Sequence, residues 1–261
     1  MTALDEWDQT ATARSYEAFC GRHGRYREAN QELAAHASIG PGQRVLDVAA
    51  GTGRTAEALL PNLGPDGRVF CFEPARAMVR AGARRLRDRR VRWLAEWPDS
   101  GTFDRIVCGA GIWQLLPLAE TFARLADRLR SSGALSFNIP ALYLGIPDQP
   151  GAGRDPLLQE LAARVTDGRT PTAGRSEPLG GPDTIDAQLR EAGLIPTRWS
   201  FEIRLTQAAY RDWLKVPPMT SGWLGGLTPE QRTERIDRAY AAVDRESWRW
   251  ERWLGWTAWK P

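Results

Sequence analysis

Val45-Leu46-Asp47-Val48-Ala49-Ala50-Gly51-Thr52-Gly53-Arg54 is the stretch that decides the fold. An apolar run stops in small residues, and a helical pattern opens at Arg54, so strand, glycine turn and helix follow one another. Gly51 and Gly53 let the backbone approach a ligand closely, and the helix that follows offers its first free N–H groups. Outward from this point strand and helix alternate. Strands are expected over Arg44–Val48, Val69–Phe72, Val91–Leu94, Phe103–Cys108 and Ala134–Ile139. Helices are expected over Arg54–Leu60 (ended by Pro61), Ala75–Arg87 and Pro117–Arg130. This rhythm requires right-handed crossovers and predicts an α/β fold with a doubly wound, mostly parallel sheet.

The flanks read differently. Residues 10–36 form one helix or two short ones, punctuated at Gly21 and Gly24, before Pro41-Gly42 breaks the chain. After Pro140 the sequence is rich in Pro and Gly (Pro147, Pro150, Gly151, Gly153, Pro171, Gly180, Gly181, Pro182), with one helix at Pro156–Val165. A helix at Thr184–Ala192 stops at Gly193, and a strand runs through Trp199 to Leu205. Thr206 can cap a helix to Leu214, and Thr228-Pro229-Glu230-Gln231 is a capping box opening a helix to about Arg245. Trp253–Trp259 then reads as an added strand, antiparallel, at the sheet's far end. The expected units are a helical cap (1–42), a ligand-binding core (43–139), an insertion acting as a substrate lid (140–182), and a completion of the sheet (183–261).

Composition narrows the function. Cys20, Cys71 and Cys108 lie far apart, which excludes a disulfide framework and a zinc ribbon. No His/Cys/Asp/Glu cluster has metal spacing, so a metal-free site is expected. No apolar run reaches the roughly 20 residues of a membrane helix, and Met1–Gln9 has no signal-peptide core, so a cytoplasmic protein with no membrane partner is expected. The 261 residues carry a net charge of +3, with basic and acidic side chains mixed along the helices, which argues against a nucleic-acid partner. All the basic residues but Lys215 and Lys260 are arginine, a bias that reads as a high-GC bacterial genome. Eight of the 12 tryptophans lie from Trp199 onward, either as core or as an aromatic substrate pocket.

Two nucleotides compete for the glycine loop. Gly51-Thr52-Gly53-Arg54-Thr55-Ala56 satisfies the dinucleotide pattern G-x-G-x-x-G/A, with Glu73 placed 20 residues after Gly53. Asp47, however, would repel a pyrophosphate at the tip of the first strand. The same carboxylate suits the ammonium of S-adenosylmethionine (SAM), and Glu73 can accept from ribose hydroxyls in either case. A Tyr-x-x-x-Lys pair of the short-chain dehydrogenase kind is also missing, because Arg211 and Trp256 stand four residues before the two lysines.

Val45 to Gly53 resembles the VLDxGxGxG motif of the class I SAM-dependent methyltransferases, with Ala49 in place of the first glycine. Glu73-Pro74, the run Trp93–Pro98 followed by Phe103–Val107, Ser131–Leu135 and Ala192-Gly193-Leu194 extend that resemblance over most of the chain. The subgroup it resembles is the small-molecule type of ubiquinone/menaquinone methyltransferases and natural-product tailoring enzymes of bacterial secondary metabolism. The resemblance implies a seven-stranded sheet of order 3-2-1-4-5-7-6 and SAM as cofactor, with S-adenosylhomocysteine as its product. It implies cofactor contacts from Asp47, Ala49, Gly51, Thr52, Gly53, Glu73, Pro74 and Met78. Ala95, Glu96 and Trp97 would rim the adenine. Gly109 and Ala110 would lie by the sulfonium, where Trp113 could add a cation–π contact.

The implied activity is methyl transfer to an O, N or C atom of a small, apolar or aromatic metabolite by direct displacement. The alternative is a non-methylating cyclisation or rearrangement that uses or retains SAM. Orientation supplies most of such a reaction, and a base is needed only where the acceptor must lose a proton. His23 is the candidate base, whereas His36, at a helix end, reads as structural. Tyr16, Tyr26, Gln114 and Tyr143 are candidate substrate contacts. Asn138-Ile139-Pro140-Ala141-Leu142-Tyr143 resembles the N-P-P-Y motif of amino-methylating enzymes but follows the fifth strand instead of the fourth, so it reads as a decoy. Monomer and homodimer are equally compatible with the sequence.

Overall fold

The computed structural model describes residues 3–98, 100–148, 155–163, 179–224 and 226–261. Three helices lead in: α1 (Ala3–Trp7), α2 (Thr10–Arg22) and α3 (Arg25–His36). The alternating segment follows as β1 (Arg44–Val48), α4 (Arg54–Leu63), β2 (Arg68–Phe72), α5 (Arg76–Arg85) and β3 (Val91–Leu94). It continues as β4 (Phe103–Cys108), α6 (Leu118–Arg128) and β5 (Leu129–Pro140). Beyond it come α7 (Pro156–Ala163), α8 (Pro182–Glu191), β6 (Ile195–Thr206) and α9 (Gln207–Leu214). The chain ends with α10 (Ser221–Leu224), α11 (Pro229–Tyr240) and β7 (Trp248–Trp259).

The strands form one seven-stranded sheet of order β3-β2-β1-β4-β5-β7-β6, as expected. Neighbours among β1 to β5 pair in parallel, and β7 is antiparallel to both β5 and β6. Side chains alternate between faces that are both covered. Val45 joins Leu33, Leu59 and Leu63 beneath α3 and α4, whereas Leu46 and Val48 join Phe122, Leu125 and Leu189 beneath α6 and α8. A further core gathers Phe19 and Tyr26 of the cap, Leu157 and Leu161 of α7, Tyr210 and Trp213 of α9, Ile236 of α11, and Trp253. Trp253 pairs with Pro140, so this core stands at the carboxyl end of β5.

Several boundaries differ from expectation. Pro61 does not end α4, which runs on to Leu63 and stops before Gly64 at φ +68°. Its missing N–H falls in the last turn, where tertiary burial of Leu59, Leu60 and Leu63 outweighs the lost bond. The helix after β2 ends at Arg85, short of Arg87, and α11 ends at Tyr240, short of Arg245. β5 starts at Leu129, and β6 and β7 are each 12 residues long because they pair along their whole length. The last strand inserts between β5 and β6, as the order 3-2-1-4-5-7-6 implies, and begins at Trp248 instead of Trp253. Residues 149–154 and 164–178 of the expected insertion, with Pro150, Gly151, Gly153 and Pro171, lie outside the described residues. The late tryptophans are mostly structural. Trp253 and Trp256 are fully buried, and a Cβ on Gly255 would overlap the Trp199 indole that crosses it. Trp248 and Trp250 remain exposed. Among the described residues no helix is long and apolar enough to cross a membrane.

Candidate cofactor and acceptor site

β1 lies between β2 and β4, and the helices that follow β1 and β4 cover opposite faces of the sheet. The carboxyl ends of β1 and β4 are therefore the switch point outside which open α/β sheets bind ligands, in the crevice between the two turns. The turn after β1 is folded by three bonds. Ala50 N donates to Phe72 O at 3.1 Å, Gly53 N to Ala50 O at 2.8 Å, and Gly51 N to Glu73 Oε2 at 2.8 Å. The other Glu73 oxygen accepts from Ala75 N at 2.8 Å, so one buried carboxylate ties the glycine loop to the start of α5. Burial raises the Glu73 pKa, and the two backbone donors oppose that rise.

The loop is close-fitting. Gly53 sits at φ +78°, and a Cβ there would stand 3.0 Å from the Trp93 ring. Ala49 (φ +54°) and Ala110 (φ +51°) are also left-handed, a conformation that costs an L-residue about 1–2 kcal/mol. Both face the crevice, one from each central strand, and strain of this kind concentrates at functional sites. Ala110 N donates to Asn138 Oδ1 at 2.8 Å, and Asn138 Nδ2 donates to Ala29 O at 2.8 Å. The asparagine of the decoy motif is thus a bracket that holds the turn after β4 against α3.

Asp47 corrects one expectation. It is fully buried under α4, where Oδ2 accepts from Ala56 N at 3.2 Å. Desolvation pushes its pKa up to about 8, so the carboxyl is mostly protonated at neutral pH. The anion expected to repel a pyrophosphate is therefore largely absent, and that ground for excluding a dinucleotide falls. Asp47 Oδ1 has no hydrogen-bond partner among the described residues.

The cap latches onto this loop through residues that no motif marked. Glu17 of α2 accepts from the Thr52 hydroxyl and pairs with Arg54 at 2.7 Å and Arg85 at 3.3 Å. Asp8 accepts from Ala77 N at 2.7 Å and so caps α5. Trp7 and Tyr16 pack over Ala75, Ala77 and Met78. Met78 Cε in turn lies 3.6 Å from where a Gly51 Cβ would stand.

The remaining expected residues lie on several elements. Pro74, Ala95 and Glu96 are exposed, and Trp97 meets Phe72 edge-on at 5.3 Å with the Arg124 guanidinium over its ring. Gly109 lies against Thr55 and Asn30, whose side chains are hydrogen-bonded to each other at 3.1 Å. Trp113 and Tyr143 meet edge-on at 4.8 Å, and Tyr16 and Tyr26 lie 5.5 Å apart. Gln114 is exposed beside Trp113. His23 bonds through Nε2 to Asp212 at 2.9 Å, at the junction of α2 and α9. Asp212 also pairs with Arg22 and Arg211, and these hydrogen bonds lower its pKa to about 2. His36 packs on Trp199 at 4.2 Å.

A family model described as a methyltransferase domain matches residues 45–133, which carry this loop and crevice. That match spans about a third of the chain and makes its core similar to methyltransferase domains. A ubiquinone/menaquinone biosynthesis C-methyltransferase (UbiE) from Cupriavidus pinatubonensis is 38% identical to the domain over 68 residues. That match covers 26% of this chain and 28% of the relative, so the chain spans little more than a quarter of the relative's length. Among solved structures, the domain resembles phosphoethanolamine N-methyltransferase 2 of Haemonchus contortus. There the TM-score is 0.60 at 14% identity, covering 100% of this chain and 60% of that one. It also resembles the [4+2]-cyclase SpnF, with a TM-score of 0.55 at 13% identity over 89% and 79% of the two chains. The Haemonchus contortus enzyme is also solved in complex with SAM. The residues fit that group: Glu73 keeps acceptor capacity beyond its two backbone donors, and Asp47 Oδ1 is an unused acceptor beneath the loop.

Proposed function

We propose that the protein transfers the methyl group of SAM to an O, N or C atom of a small, apolar or aromatic acceptor by direct displacement. The observation that carries this reading is the Gly51–Glu73 bond, which fixes a carboxylate beside the glycine loop. Glu73 would accept from the ribose hydroxyls. Gly51, Thr52 and Gly53 would bring backbone against the methionine portion, and Asp47 Oδ1 would receive its ammonium, which would lower the Asp47 pKa. Met78, Ala95, Glu96 and Trp97 would hold the adenine, with Ala49 and Pro74 lining the loop. SAM supplies an already activated methyl group, so the protein's task is alignment and exclusion of water.

Gly109 and Ala110 shape the floor beneath the reacting centre, and Trp113 and Tyr143 with Tyr16 and Tyr26 offer aromatic walls for the acceptor. Gln114 stands at its mouth. For an acceptor that must lose a proton, His23 is the base. Asp212 is ionised and faces His23 Nε2 at 2.9 Å, so Nδ1 would be the nitrogen that takes the proton. Residues 1–42 act as the cap and 140–182 as the lid over the acceptor, with 43–139 and 183–261 forming the core and its completion. The setting is a bacterial cytoplasm and secondary metabolism.

Calorimetric titration with SAM and S-adenosylhomocysteine tests this directly, using wild type, Gly51→Val and Glu73→Ala. Binding to the wild type that is lost in both variants is the expected result, and folded wild type that binds neither compound would refute it. The likeness to the [4+2]-cyclase favours a second reading, in which SAM is retained during a cyclisation. Product analysis separates the two: a methylated product with S-adenosylhomocysteine, or an isomer of unchanged mass.

A further inference from the structure

A second polar cluster lies buried at the carboxyl end of β5, away from the glycine loop. Arg25 and Glu251 form its closed part, a two-bond ion pair with both contacts at 2.7 Å. Tyr26 Oη accepts from Arg25 at 3.0 Å and from the Trp213 indole at 3.1 Å, and the Trp253 indole donates to Glu251 at 2.9 Å. Every member of that part is satisfied.

The adjoining part is not. Arg249 reaches Asp155 at 3.5 Å and Asp148 at 3.7 Å, both beyond good hydrogen-bond distance. Its guanidinium lies over the Tyr210 ring at 4.4 Å, and Gln207 donates to the same Asp155 oxygen at 3.2 Å. Gln207 and Tyr210 share one face of α9 at a spacing of i, i+3. Among the described residues, Arg249 Nε, Tyr210 Oη and Gln207 Oε1 are all buried without a hydrogen-bond partner. Tyr210 is 3% exposed and Gln207 2%. Each such atom has lost its hydration without gaining a partner, so three in one cluster point to a polar group that completes them.

Their chemistry says which group. Arg249 Nε is a donor, Gln207 Oε1 an acceptor, and the Tyr210 hydroxyl can serve as a second donor. A hydroxyl accepts two hydrogen bonds and donates one, which matches this set. A carboxylate would meet Asp148, Asp155 and Glu251 against only two guanidiniums, and an ammonium would face the Arg249 donor. The place is also suitable: Asp148 follows Tyr143 on the segment leaving β5, and Tyr143 packs on Trp113 at the crevice.

We infer that Arg249, Tyr210 and Gln207 form a recognition site for a neutral hydroxyl group carried by the acceptor. This rests on the methyltransferase reading above. The test is calorimetric titration of the S-adenosylhomocysteine-saturated protein with 2-naphthol and with naphthalene, for wild type, Tyr210→Phe and Gln207→Leu, each also melted thermally. Wild type should bind 2-naphthol about tenfold or more tightly than naphthalene, and both variants should bring the ratio near one. Tyr210→Phe should melt at or above the wild-type temperature, because it removes an unpaired buried hydroxyl. Equal binding of the two probes by wild type, or no binding of 2-naphthol, overturns the inference. So does a Tyr210→Phe variant that melts several degrees lower and keeps the preference, the behaviour of a site closed by structural water. Failure of S-adenosylhomocysteine itself to bind would break the methyltransferase reading instead.

Discussion

The two ends of the sheet are stabilised by different means. From β1 to β4 the strands are short, parallel and apolar, and they end in constrained backbone turns: Gly53 against Trp93, Ala49 and Ala110 in left-handed conformations. From β5 to β6 the strands are long and antiparallel, and the adjoining core holds the paired charges Arg25 and Glu251 among Tyr26, Trp213 and Trp253. The first region stores its specificity in φ angles, the second in buried polar side chains. A backbone turn can be shaped by neighbours in sequence, whereas Arg25 and Glu251 find each other only when the whole chain has assembled.

Substitutions can break that contrast. The largest effect belongs to Glu251→Gln, which leaves Arg25 buried beside a neutral partner and should lower the unfolding free energy by about 3–5 kcal/mol. Urea unfolding measures it, and a change under about 1 kcal/mol would mean that the aromatic rings alone carry the Arg25 charge. Gly53→Ala should cost about 2–4 kcal/mol, from left-handed strain plus the clash with Trp93, and should weaken SAM binding at the same time. Normal SAM affinity in the Gly53→Ala variant would show that the loop is looser than its φ angle implies.

Asp47 sharpens the contrast through pH. Its folded pKa of about 8 lies far above the usual carboxylate value, so the folded state holds the proton from about pH 4 to pH 8. The contribution of this group is full below about pH 4 and is lost as pH rises through about 8. Asp47→Asn has no proton to lose, so its stability relative to wild type should improve from about pH 4 to pH 8 in thermal melts. SAM affinity should fall in the same variant. The smallest pair of effects is opposite in sign. Ala49→Gly relieves a left-handed alanine and should gain about 1 kcal/mol. Thr228→Ala removes the capping box of α11 and should lose about 1 kcal/mol.

Legibility in the sequence follows the same divide. The sheet order came with the motif resemblance, and the strands of the first region were readable because each is a short apolar run closed by a glycine or a proline. Thr206 and Thr228 were readable as caps because a cap is a local bond, and the structure shows both. Glu17, Asp8 and Asn138 were not, since their partners Thr52, Ala77 and Ala110 are brought near only by tertiary packing. Asp47 was legible as a position and not as a charge state, because desolvation depends on what α4 lays over it. The start of β7 at Trp248 was hidden as well. Trp248, Arg249, Trp250 and Glu251 alternate aromatic and charged, and the charged members point inward, against the ordinary polar-outside pattern.

The insertion of β7 between β5 and β6 has a consequence for the newborn chain. β1 to β5 can pair in the order in which they leave the ribosome, apart from the single exchange that puts β1 beside β4. β6 cannot, because β7, its neighbour in the sheet, is made after α9, α10 and α11. During that interval a 12-residue strand carries a full row of unpaired N–H and C=O groups. Arg198, Glu202 and Arg204 along β6 are the kind of charges that discourage a stray strand from pairing there.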